Sequence, residues 1–122
     1  FLPGLESELN ETIRQIIGPD ISIETITHDI ALETDFDGDL VEAMNQSILR
    51  FDSESIPVPY LMSGGTDNKA LSELGIIGYG FSPLQLPPDL DFMALFHGVD
   101  ERVPIEGIKF GVNVLEDFLR NC

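Results

Sequence analysis

Val58-Pro59-Tyr60-Leu61-Met62-Ser63-Gly64-Gly65-Thr66-Asp67-Asn68-Lys69 runs, through Ala70 to Leu74, into Gly75-Ile76-Ile77-Gly78-Tyr79-Gly80-Phe81. Residues 58–62 form a short apolar run, and such runs between turn signals read as buried strands. Ser63-Gly64-Gly65 reads as a turn. Thr66 or Asp67 can cap a short helix that Gly75 closes, because a left-handed C-terminal cap favours glycine. Residues 76–81 read as a second buried strand. Strand, glycine turn, helix, strand is the α/β pattern.

The flanks extend the same reading. Leu5, Leu9, Ile13, Ile16 and Ile17 recur at helical spacing, and Gly18-Pro19 stops that helix. Residues 21–26 alternate and are rich in isoleucine, which predicts a strand. Residues 34–38 are acidic and turn-like, a candidate domain boundary. Asp37 or Asp39 can cap a helix carrying Leu40, Met44, Ile48 and Phe51, which the polar residues 52–57 break. Residues 83–88 are a proline-rich loop and 90–96 a short helical turn. Pro104 starts a final helix with Ile105, Ile108, Val112, Leu115 and Leu119 on one face. The expected fold class is α/β, with a boundary that separates 1–33 from 34–122.

Composition narrows the function classes. The chain has 122 residues, 43% of them apolar, enough for one small domain. Acidic residues outnumber basic ones 22 to 6, a formal net charge of −16. Such a surface repels phosphate backbones, which argues against nucleic acid as a partner. No apolar run approaches the roughly 20 residues of a membrane span, and the start shows neither a basic nor a long apolar leader region. The absence of an initiator Met suggests a fragment, a processed product or a trimmed chain. Cys122 is the only cysteine, so neither a disulfide framework nor a cysteine zinc site can be built, and a cytoplasmic setting is expected.

Two stretches carry the chemistry. One is Phe96-His97-Gly98-Val99-Asp100-Glu101-Arg102-Val103. His97 is a potential metal ligand, Gly98 permits close backbone approach, and Asp100 and Glu101 can orient an imidazole from behind, as outer partners of ligating histidines do. The other is Gly64-Gly65-Thr66-Asp67-Asn68-Lys69, where a helix N-terminus and a lysine could seat a carboxylate. Lys69 is a point charge without the bidentate grip of arginine.

Together these motifs resemble the C-terminal signature of the di-zinc exopeptidases, the family of aminoacylase, glutamate-releasing carboxypeptidases and succinyl-diaminopimelate desuccinylase. Leu2-Pro3-Gly4 is similar to a strand end in that family's inserted lid, or dimerisation, domain. The resemblance implies that 1–33 is the closing half of the lid and 34–122 the C-terminal segment of a catalytic domain. It implies zinc as cofactor (two ions in the complete enzyme, with cobalt or manganese as substitutes) and His97 as a ligand. Gly65, Thr66, Asp67, Asn68 and Lys69 would line the substrate site, with Asp100 and Glu101 behind the metal. The implied reaction is hydrolysis of an amide beside a free carboxylate, on a small peptide or N-acyl amino acid, by a homodimer joined through the lid.

Other parts of that machinery are missing from this chain. His28 begins His-Asp-Ile and His97 begins His-Gly-Val, so neither opens a His-x-Asp motif, and no Glu-Glu pair occurs. A hydrolytic zinc needs about three protein ligands. No catalytic residue is therefore expected here, and the chain alone should be inactive. His28 reads as an ordinary strand or loop residue. There is no Gly-x-Ser-x-Gly elbow, and Gly78-Tyr79-Gly80 lacks the third glycine of a dinucleotide loop. The competing expectation is a stand-alone acidic α/β binding or oligomerisation module.

Overall fold

The computed structural model describes residues 3–122; the reading of Phe1 and Leu2 as part of a lid strand lies outside them. The described residues form five helices in order: α1 (Glu6–Ile17), α2 (Asp39–Phe51), α3 (Asn68–Glu73), α4 (Phe92–Leu95) and α5 (Ile105–Asn121). Among the described residues there is no strand, which overturns the α/β expectation: the observed secondary structure is helical.

The reason lies in what a strand requires. An apolar, β-branched run sets a local preference, but a strand exists only when a neighbour accepts its ladder hydrogen bonds. Residues 58–62 follow Pro57 and contain Pro59, and neither proline has an N–H to give. Residues 76–81 contain Gly78 and Gly80, which weaken a strand. No described backbone hydrogen bond ties 58–62 to another segment, and the carbonyl of Gly78 accepts only the Thr34 hydroxyl, at 3.3 Å. Residues 21–26 fail differently. Their isoleucines remain in solvent, Ile26 91% exposed, so no half-buried face exists to fix a pairing register.

The chain divides into two compact units. The first comprises the described residues up to Asp35 together with Tyr60–Tyr79, and so holds α1 and α3. α1 ends as its Gly-Pro signal predicts: Gly18 takes a φ of 78° and its N–H returns to the Arg14 carbonyl at 3.0 Å. α3 ends in a Schellman turn. Gly75, with a φ of 74°, donates to the Ser72 carbonyl, and Ile76 donates to that of Leu71. None of this unit's described residues is buried.

The second unit comprises Phe36–Pro59 and Gly80–Cys122. Its core is the contact between α2 and α5. α2 contributes Val41, Met44 and Ser47 at three-residue steps along one face, and α5 contributes Gly107, Gly111 and Val114. The two glycines form a notch. A Cβ on Gly107 would stand 2.9 Å from the Gln85 carbonyl oxygen, and one on Gly111 would stand 2.7 Å from that of Pro83. The proline-rich loop therefore lies directly on the helix backbone. Phe81 meets Phe118 edge-to-face at 5.3 Å, and Arg50 on α2 pairs with Asp117 on α5 at 2.6 Å. The larger stripe on α5, Ile105 to Leu119, stays exposed. Among the described residues no helix is long and apolar enough to cross a membrane.

Candidate functional site

His97 follows the one-turn helix α4. Asp91 caps that helix by accepting the Ala94 N–H at 3.1 Å, and Phe92 packs edge-to-face on Phe96 at 4.9 Å. The chain then reverses tightly, with the Gly98 N–H donating to the Leu95 carbonyl at 2.9 Å. A Cβ on Gly98 would meet that same carbonyl oxygen at 3.0 Å. The reversal is completed by His97 itself, whose φ is +56°. Among the described residues it is the only non-glycine in the left-handed region. The conformation costs roughly 1–2 kcal/mol for an ordinary L-residue, though histidine tolerates it better than most.

The two carboxylates beside His97 do not back its ring. Glu101 accepts the backbone N–H of His97 at 3.2 Å, holding the turn rather than the imidazole. Asp100 pairs with Arg102, which also donates to the Asp100 carbonyl at 3.0 Å. The ring is exposed, and among the described residues neither of its nitrogens has a hydrogen-bond partner. The turn thus presents a free imidazole on a pinned backbone.

The second stretch belongs to the other compact unit. Thr66 organises it: its hydroxyl accepts the Asn68 N–H at 3.3 Å and its carbonyl accepts the Lys69 N–H at 3.2 Å. Asp67 is the N-cap residue by position, but its side chain makes no capping bond; its carbonyl takes the Leu71 N–H. The N–H groups of Asn68 and Lys69, which sequence reasoning offers to a carboxylate, are thus already engaged. The Asn68 amide lies against Gly78 so closely that no Cβ would fit there. The Lys69 ammonium folds back over Gly65 and sits 3.4 Å from an Asp29 carboxylate oxygen, with its side chain 30% exposed. Nothing in the sequence flags Asp29 as that partner, since the pair is set by the path of an irregular segment.

His28 bonds through Nε2 to Glu6 at 2.6 Å, tying the segment after α1 to the first turn of that helix. The second unit also has an open cleft lined by Ile48, Asp52, Ile56, Leu84 and Phe110. The Asp52 carboxylate there is occupied by the Ser55 hydroxyl at 2.8 Å and the Glu54 N–H at 3.2 Å.

The donor set can be tested against zinc. Among the described residues no three His, Cys, Asp or Glu side chains gather to hold a metal ion. One imidazole falls short of the roughly three protein ligands a hydrolytic zinc requires. The described residues therefore do not by themselves fit the metal that the sequence motifs imply. The chain matches no known protein family, no curated protein and no solved structure.

Proposed function

We propose that this chain supplies one metal-ligating histidine, His97, and a substrate-facing loop, residues 65–69, to a zinc-dependent hydrolase of amide bonds next to a free carboxylate. Its substrates are small peptides or N-acyl amino acids, and its setting is the cytoplasm. The remaining ligands and the proton-shuttling carboxylate come from residues outside this sequence. One observation supports the reading above the others: His97 holds a left-handed backbone while its imidazole is unpaired and open. Residues kept in sparsely populated conformations cluster at functional sites. The pinned turn fixes the backbone of His97 and leaves both ring nitrogens open to a metal. Lys69 is held only loosely by Asp29 and can turn its charge towards a substrate carboxylate.

The test uses the complete polypeptide that contains this sequence and reads hydrolysis and bound metal together. His97→Ala should lower both, activity by at least about a hundredfold, as for groups that govern metal affinity. Lys69→Ala should raise KM more than it lowers kcat, because a distant charge mainly contributes binding. Lys69→Arg should be tolerated, since the planar fork suits a carboxylate. Full metal content and near wild-type rates in His97→Ala would remove the assignment.

A further inference from the structure

α5 is apolar on two faces, and among the described residues only one of them is buried. Gly107, Gly111 and Val114 are buried within the second unit. Ile105, Ile108, Val112, Leu115 and Leu119 form a separate stripe along the whole helix, each between 38% and 71% exposed. Their spacing is three, four, three, four, the a/d pattern of a helix that packs against another helix.

The shoulder of this stripe carries a charge pattern that bears on its partner. Glu106, Lys109, Asn113, Glu116 and Arg120 run beside it at the same spacing, and all are exposed. Read forwards, their charges are minus, plus, neutral, minus, plus. Read backwards, they are plus, minus, neutral, plus, minus. The shoulder is therefore complementary to itself in the reversed direction, and it is electrically balanced in a chain of net charge −16. From this geometry we infer that α5 is a docking surface for a second copy of the chain, paired antiparallel about a two-fold axis near Val112 and Asn113. A two-fold interface uses one patch twice and must be self-complementary, and this patch is.

In the antiparallel pair, Lys109 comes beside Glu116 of the second copy, and Glu106 turns towards Arg120 of the second copy. Val112 and Leu115 of the two seams cover each other. The existing intrahelical pairs, Glu106 with Lys109 and Glu116 with Arg120, each at 2.7 Å, are solvent-exposed and can be shared across the contact. A parallel pair would instead set the charged shoulder against the Gly111–Phe118 edge, which has no charge to meet it. This interface is distinct from any pairing through residues 1–33 and does not depend on the proposed hydrolase role.

Sedimentation of the full chain between about 1 and 100 µM, in about 0.15 M salt to screen the overall charge, tests the pairing. The mass should rise from the 13.5 kDa of one chain to twice that value. Val112→Asp should abolish the rise. Lys109→Glu and Glu116→Lys should each weaken self-association about tenfold, because each places like charges at two symmetric contacts. An equal mixture of these two variants restores every opposite pairing and should associate about as well as the unaltered chain. The mixture contains the same polypeptides as the separate samples, so loss of folding cannot imitate the result. A chain that stays at the monomer mass throughout, assemblies that grow beyond two copies, or a mixture no better than its components would each overturn the inference.

Discussion

Replacing Ser47 with alanine should make the protein more stable, although it deletes a polar group from the centre of a helix contact. Ser47 has no exposed surface, and its hydroxyl has no hydrogen-bond partner. It shares its face of α2 with Val41 and Met44, against α5. An unsatisfied buried hydroxyl costs about 1–3 kcal/mol in lost hydration. Alanine also exceeds serine in helix propensity by about 0.5 kcal/mol. Against this stands the space left by one oxygen, smaller than a methyl group and worth less than about 1 kcal/mol. The net gain is about 1–2 kcal/mol. Urea unfolding followed by far-UV circular dichroism reads this as a higher midpoint with unchanged slope. A thermal scan should move up by about 4–8 °C per kcal/mol for a unit of this size. Both need one fixed protein concentration, because a self-associating chain gains stability by mass action. A loss of about 1 kcal/mol or more at unchanged slope would refute the reasoning, since it would mean that the hydroxyl does have a partner in solution.

Gly111→Ala should destabilise α5 despite alanine's preference for helix: the clash with the Pro83 carbonyl costs about 1–3 kcal/mol, against about 1 kcal/mol of propensity gained. Urea midpoints check the sign. His97→Gly should be more stable than His97→Ala by about 1 kcal/mol, because only glycine adopts the positive φ freely; the same unfolding assay compares them. Raising salt from about 0.05 to about 0.5 M should raise the melting temperature, because screening relieves self-repulsion at net charge −16. Micromolar zinc should move the melting temperature of this chain by less than about 1 °C, since one imidazole is a weak site. A large shift that disappears in His97→Ala would show that more ligands converge on His97 than its described neighbours provide.

The helices were legible because their punctuation is local. Gly18-Pro19, Gly75 and Pro104 each fix a helix end through the backbone of one or two residues, and each lies at a helix end in the structure. The strands read at 21–26, 58–62 and 76–81 were not reliable for the opposite reason. Isoleucine and valine state a preference, but a ladder needs a second segment, and sequence pattern does not supply one. The working face of α5 was readable yet easily outweighed: Gly107 and Gly111 stand four apart, a small-residue face overshadowed by the larger residues of the stripe beside it. Before His97 the short helical turn was legible, but the left-handed backbone of His97 and the engagement of Glu101 with its N–H depend on how the reversal closes. The pairing of Lys69 with Asp29 joins residues far apart in the chain and left no local trace.

The packing of α2 on α5 also has a consequence in time. The two halves of that core lie roughly seventy positions apart, so this is a high-separation contact of the kind that slows folding. A ribosome adding about 5–20 residues per second delivers α2 several seconds before α5. Throughout that interval Val41 and Met44 have no cover, and the Pro83 and Gln85 carbonyls have no notch to rest in. Nascent chains of this protein therefore lack the native cover of α2 until α5 is made, and a chaperone that binds short apolar helices should bind them before that point and release them after it.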